Sequence, residues 1–194
     1  MSYCARFEEF DGRLFRFDTR IYLEAHIPNE SDICVGAIVG KNPGSAKPTQ
    51  LGVMAELDLD GDKMLPSVRN RFVAAYQKSD VHIPVNAFVQ VWNLFYLCNP
   101  NLSAACSAID SFANPPICSS ERLAPRVVWF AWGGSDSRLN PFKERFLSCG
   151  HPSFYYNHQV GEVERRVPLA EDFAKHPQGM PATPIVNHLA SLVR

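Results

Sequence analysis

The apolar run Cys34 to Val39 ends in Gly40-Lys41-Asn42-Pro43-Gly44-Ser45-Ala46, and this junction limits the fold more tightly than any other stretch. A short, continuously apolar segment is the pattern of a strand covered on both faces of a sheet. Its glycine- and proline-rich ending releases the chain at the sheet's carboxyl edge, where open α/β folds hold their ligands. Gly40 and Gly44 let the backbone approach a ligand closely, and free N–H groups in such a turn can face an anion. Asn42 puts one polar side chain in the middle. The same residues also suit an ordinary strand-to-loop turn, since Asn-Pro and Pro-Gly are turn signals.

Two more apolar runs repeat the arrangement. Ala87 to Leu97 is interrupted by Asn93, and Val127 to Trp132 stops at Gly133-Gly134-Ser135. Helical spacing lies between and after them. Pro66 to Lys78 carries Val68, Phe72, Val73 and Tyr76 on one stripe, with Ser67 as N-cap. Further helices are expected over Ser103 to Phe112, over Arg138 to Cys149 with Phe142, Phe146 and Leu147 inward, and from about Pro184 to Val193. Leu14 to Ile27 alternates with period two, as a hairpin or edge strand does, and Phe154 to Tyr156 pairs with Val160 to Val163. Strands alternating with helices predict an α/β fold, a three-layer α/β/α sandwich with a mostly parallel central sheet. The 194 residues fit one domain spanning 1–194, with no linker or repeat to divide it.

Composition removes several classes. A net charge of −1 and a pI near 6.6 exert no strong pull on nucleic acid or an anionic membrane. A basic face gathered from Lys41, Lys47, Arg69, Arg71 and Lys78 would favour nucleic acid, and dispersed charges a small ligand. No stretch approaches the roughly 18 apolar residues of a membrane span, and Met1 to Asp11 is not a signal peptide. The six cysteines are scattered without a Cys-x-x-Cys pair, so reduced thiols in a cytoplasmic protein are expected, with no zinc site or iron–sulfur cluster. Asp58-x-Asp60-x-Asp62 lacks the later glycine and glutamate of a calcium loop. Neither a metal nor a cofactor is therefore expected, and the polar segment Ser45 to Pro66 is compatible with a mobile lid. Phosphate-loop, dinucleotide and serine-elbow motifs are missing.

If the three strands run parallel, their endings share one edge. That edge collects Gly40, Lys41, Pro43, Gly44, Ser45, Asn93, Trp132 and Gly133 as candidate binding residues. An amide inside a strand must be hydrogen-bonded, so Asn93 either holds a neighbouring loop or meets a ligand. His176-Pro177 sits in a loop rich in Pro and Gly. His176 there is a general acid or phosphate donor, or else a solvated histidine. Trp92, Trp129 and Trp132 read as core, though a tryptophan near the edge can stack on a base.

The order of these motifs resembles an uncharacterised bacterial and viral family, domain-of-unknown-function family sixteen forty-three, over roughly Arg13 to Leu189. The stretches that carry it are Lys41-Asn42-Pro43-Gly44-Ser45-Ala46, Val91-Trp92-Asn93-Leu94-Phe95 and Ala131-Trp132-Gly133. Gly44-Ser45 departs from the family's Ser-Thr, and Thr183 stands where the family's closing histidine falls. More remotely, the layout is similar to the uracil-DNA glycosylase superfamily, whose mismatch-specific branch has Gly-x-Asn-Pro-Gly as its first motif. That likeness implies that Asn42 positions the water attacking the sugar C1′ and that Asn93 reads the base edge. It also implies that His176 of His176-Pro177 donates a hydrogen bond to the base oxygen. Asn42 and His176 are then the catalytic pair, and the partner a nucleobase, nucleotide or DNA. Breaking a glycosidic bond needs a placed water and a donor for the departing base, and a duplex substrate also needs a flipped base. A non-catalytic nucleotide or nucleic-acid binding module, or a small-molecule enzyme sharing the fold, would use the same turns.

Overall fold

Alternation of buried and exposed side chains builds one half of the sheet, and unbroken apolar runs build the other. The computed structural model describes residues 1–44, 47–48, 50–59, 61–134 and 136–193. Among these, eight strands form one sheet. They are β1 (Tyr3–Phe10), β2 (Arg13–Tyr22), β3 (Ile33–Gly40), β4 (Met54–Glu56), β5 (Ala87–Asn93), β6 (Val128–Phe130), β7 (Ser153–Asn157) and β8 (Glu162–Glu164), in the order β4-β1-β2-β5-β3-β6-β7-β8. Four α-helices accompany them: α1 (Met64–Lys78), α2 (Leu102–Ile109), α3 (Asn140–Leu147) and α4 (Ala182–Leu192).

The protein is thus a mixed α/β structure, but the expected mostly parallel sheet does not hold. Four pairings are antiparallel, β1 with β2 and β4, β2 with β5, and β7 with β8. Only the central block β5-β3-β6-β7 is parallel. A hairpin needs two connecting residues, whereas a parallel return needs a crossover, so the chain ends add antiparallel strands cheaply. Asp11 and Gly12 make the first hairpin, both at positive φ (50° and 70°), as an Asp-Gly turn requires. That hairpin introduces β1, which the sequence reading did not include, and it moves β2 from an edge to the interior of the sheet.

Side chains of the central strands alternate between two apolar clusters. Ile38, Val89, Val91, Trp129 and Phe154 pack with Phe72 of α1 and Leu189 of α4. Val39, Trp92, Phe130, Trp132 and Tyr155 pack with Ile109 of α2 and Phe146 of α3. Helix α1 begins earlier than expected. The N-cap position falls on Lys63 instead of Ser67, and Asp62 just before it accepts the N–H groups of Met64 (2.7 Å) and Leu65 (3.2 Å) on Oδ1, satisfying donors of the first turn. Pro66 then falls in the first turn, where its missing N–H has no intrahelical partner to lose. All six cysteines are free thiols. Among the described residues no helix is long and apolar enough to cross a membrane.

Helix α1 reaches β3 over a glycine. A Cβ built on Gly36 would lie 2.9 Å from the Phe72 ring and 3.3 Å from Val127 Cγ1. Gly36→Val is expected to destabilise the fold by about 1–3 kcal/mol through overpacking. Urea denaturation monitored by tryptophan fluorescence measures this; an unchanged midpoint would mean that the two layers are not in contact there.

Candidate functional site

The last parallel pair of β3 and β5 sets Gly40 beside Asn93, and Leu94 N–H donates to Gly40 O at 3.0 Å. A Cβ on Gly40 would stand 3.0 Å from Asn93 Oδ1, so glycine leaves room for that amide. Asn93 is 1% exposed, its backbone carbonyl accepts from Arg145 Nη2 at 2.9 Å, and among the described residues its Nδ2 has no hydrogen-bond partner. A buried amide donor left unpaired is costly, and among the described residues this one holds no neighbouring loop.

Asn42 is fixed differently. Its Nδ2 donates to Asn99 O (2.8 Å) and Pro43 O (3.0 Å), and Asn99 N–H donates back to Pro43 O. Both amide hydrogens are spent on the backbone, so Oδ1 is the end able to take a further donor such as water. Asn42 therefore also ties the turn after β3 to the turn after β5, a structural load that its place in the sequence did not disclose. Pro43 is buried, Lys41 half-buried and Gly44 exposed. Ser45, Ser135 and Asp60 lie outside the described residues.

His176 reaches this edge through Gly133. Gly133 holds φ at +65°, its N–H donates to Ala174 O at 2.7 Å, and a Cβ there would lie 3.1 Å from His176 Cβ. The imidazole Nδ1 accepts the N–H of Gln178 at 3.3 Å, which leaves the proton on Nε2. Burial holds His176 below the usual histidine range; Lys41 adds to this and Asp62 opposes it. The result is a neutral imidazole with an Nε2–H donor. Arg71 of α1 secures the turn that follows. It is 8% exposed, and its Nη2 donates to Pro177 O (3.2 Å) and Met180 O (2.8 Å) while Nη1 donates to Ser67 O (2.9 Å).

An open cleft of about 390 Å³, a size suited to a small ligand, lies against His176, Gly133 and Lys41; Asn42 and Asn93 are not among the described residues that line it. Lys41, Gly133, His158, Phe173, Lys175 and His176 line it, and none of its lining residues is a carboxylate. Lys175 Nζ stands 3.4 Å from His158 Nδ1, and the His158 and Phe173 rings are 4.6 Å apart. His158, Phe173 and Lys175 were not anticipated, because nothing in the sequence links the end of β7 to the loop before His176. The link is the bridge between Asn157 and Ala174.

Trp132 is core, as the other reading of it had it, and not a cleft residue: it is fully buried in the second cluster, with the Lys143 ammonium 5.4 Å from its ring. Of the five cations whose gathering would favour nucleic acid, three are spoken for. Arg69 donates to Tyr22 O and Leu23 O, Arg71 to the His176 turn, and Lys78 to Asn187 Oδ1. Three of the five are thus engaged with oxygens of the chain.

The neutral state of His176 has a measurable consequence. The unfolded chain takes up the proton near pH 6.5, while the native histidine resists it, so the native state loses stability as pH falls below that value through the depressed native pKa. Above about pH 6.5 the contribution is fully present. His188, also depressed by burial, adds a slope of the same sign. His176→Asn is expected to lose stability less steeply than wild type between about pH 7.5 and pH 5, read from urea midpoints; parallel profiles would mean that the imidazole titrates normally. No family model matches the chain, and no curated protein and no solved structure matches it significantly.

Proposed function

We propose that this edge holds a nucleobase and that the protein hydrolyses its N-glycosidic bond, within a three-layer fold of the uracil-DNA glycosylase kind. The observation that carries the reading is the buried, unpaired Asn93 amide on the same sheet edge as Asn42 and His176. A base edge offers carbonyl acceptors to such a donor. Asn42 Oδ1 would hold the attacking water, whose oxygen bonds to the sugar C1′ as the C1′–N bond breaks. The bonding pair leaves with the base, His176 Nε2–H hydrogen-bonds the oxygen on which charge develops, and the proton lost by water ends on the departed base. A donor placed for that oxyanion acts only as charge appears, which is where electrostatic catalysis is strongest. The short approach of Gly133 to His176 supports this role, because it fixes the backbone of the donor.

The motif likeness to the glycosylase superfamily supports the same assignment of Asn42, Asn93 and His176, while the likeness to family sixteen forty-three covers the stretches that hold Asn42 and Asn93 and departs at its closing histidine, where Thr183 stands. The cationic lining of the cleft favours a second reading, a module that binds an anionic nucleotide without turning it over.

The test is base release from nucleoside 5′-monophosphates and from oligonucleotides containing uracil, hypoxanthine or mismatches, single- and double-stranded. Asn42→Ala is expected to lower release by at least about 100-fold, the usual scale for a positioned catalytic group. It should also cost about 1–2 kcal/mol of stability, because two side-chain hydrogen bonds to backbone are lost. A urea melt of the same variant separates the two effects. Nucleotide binding without release selects the second reading, and neither binding nor release rejects the nucleobase.

A further inference from the structure

Among the described residues, Arg16 is a buried cation without an ion-pair partner: it is 1% exposed, and its Nε and Nη1 have no hydrogen-bond partner there. Other partly or fully buried arginines of the protein are engaged. Arg6 pairs with Asp18, Arg20 with Asp32 and Arg145 with Glu121, while Arg71 meets backbone oxygens. Among the described residues Arg16 makes no ion pair, and burial pushes its guanidinium below the ordinary arginine range. An unpaired ionised group in an apolar interior is among the most costly features a fold can keep.

Its position explains what it is kept for. Strand β2 runs antiparallel to β5 with Thr19 opposite Val91, and it continues beyond Asn93, the last residue of β5. There Arg16 N–H donates to Tyr96 O at 2.9 Å and Phe15 bridges Leu97. Arg16 thus lies at the carboxyl edge that holds Gly40 and Asn93. Phe15 and Phe17 belong to the cluster under α2 and α3, so Arg16, between them, faces the α1 side. Cys98, a thiol that burial keeps protonated, and the Asp62 carboxylate are close enough to act on it. Cys98 precedes Asn99, whose carbonyl takes the Asn42 amide, and Asp62 also acts on His176. Asp62 spends Oδ1 on the first turn of α1.

We propose that Arg16 is the receptor for an oxyanion carried by the ligand, the phosphate of a nucleotide. A guanidinium presents a rigid fork of donors that matches a phosphate oxygen pair, and the missing counter-ion arrives with the substrate. The inference rests on the carboxyl-edge site described above but not on the glycosidic reaction.

The test compares wild type with Arg16→Met, which keeps most of the volume and removes the charge. Isothermal titration uses inorganic phosphate, deoxyuridine, its 5′-monophosphate and a uracil-containing trinucleotide. Wild type is expected to bind the monophosphate or the trinucleotide at least about tenfold more tightly than deoxyuridine, and the variant to lose that preference while still binding deoxyuridine. Whichever phosphate-bearing ligand shows the Arg16-dependent gain identifies the source as a terminal monoester or a backbone diester. Without ligand the variant should melt at or above the wild-type temperature, since an apolar side chain relieves the buried charge. A phosphate preference that is absent from wild type, or that persists in Arg16→Met, overturns the inference. Should the variant not fold, the Arg16 Nε–Hε NMR resonance of wild type decides: it shifts saturably with phosphate if the inference holds and stays fixed if it does not. Base release with no Arg16 dependence sinks this inference alone, and Arg16-dependent binding without base release sinks the reaction alone.

Discussion

The parallel pairing of β3 with β5 is the constraint on which the rest of the molecule depends. It brings together two strands separated by a helix and a long connection, and it ends with Gly40 directly beside Asn93. From that one register follow the height of both turns, the side-chain tie from Asn42 to Asn99, and the edge against which β2 overhangs. A slip of one residue would turn each side chain to the opposite face of the sheet and separate Asn93 from the edge. The two apolar clusters resist such a slip, because Val89 and Val91 belong to one and Trp92 to the other.

Around that pairing, the loops of the site are held by side chains bonded to backbone rather than by apolar packing. Asn42 binds two carbonyls across two turns, and Arg71 binds two more across the turn after His176. Hydrogen bonds of this kind fix direction as well as distance, so they orient a donor or acceptor where a greasy contact would leave it free to rock. Asn93 and Arg16 are the opposite case, buried polar groups held in place by the fold with donors left unpaired among the described residues. Such groups lower stability.

Much of the central block was legible in the sequence. Continuous apolar runs identified β3, β5 and β6, apolar spacing identified α1 and α3, and helices were also expected where α2 and α4 lie. The turn after β3 and the Asn93 interruption marked the edge correctly. The strand β1 was missed, because Arg6, Glu8 and Glu9 mask the inward alternation of Ala5 and Phe7, although Asp11-Gly12 was a hairpin signal in plain view. Sheet direction was misjudged for the same reason: periodicity tells which face a residue takes, not which way its neighbour runs. Trp132 read both as core and as an edge residue, and its burial decides for the core, while Arg71 looked like a surface cation until the His176 turn was folded back onto α1. Arg16 carried no signal at all, since an arginine between two phenylalanines in an alternating strand reads as the solvent-facing position.

The clasp between Gly133 and His176 also bears on how the molecule is made. Residues 16, 42, 93, 133 and 176 lie far apart along the chain, and they reach one edge of the sheet only once it has closed from β2 through β7 and the following loop has returned across it. Contacts of such long sequence separation are entropically slow to form. A chain still emerging from the ribosome would own most of the central strands before His176 could settle against Gly133. That edge is therefore completed late, by the segment that Arg71 of α1 then fastens.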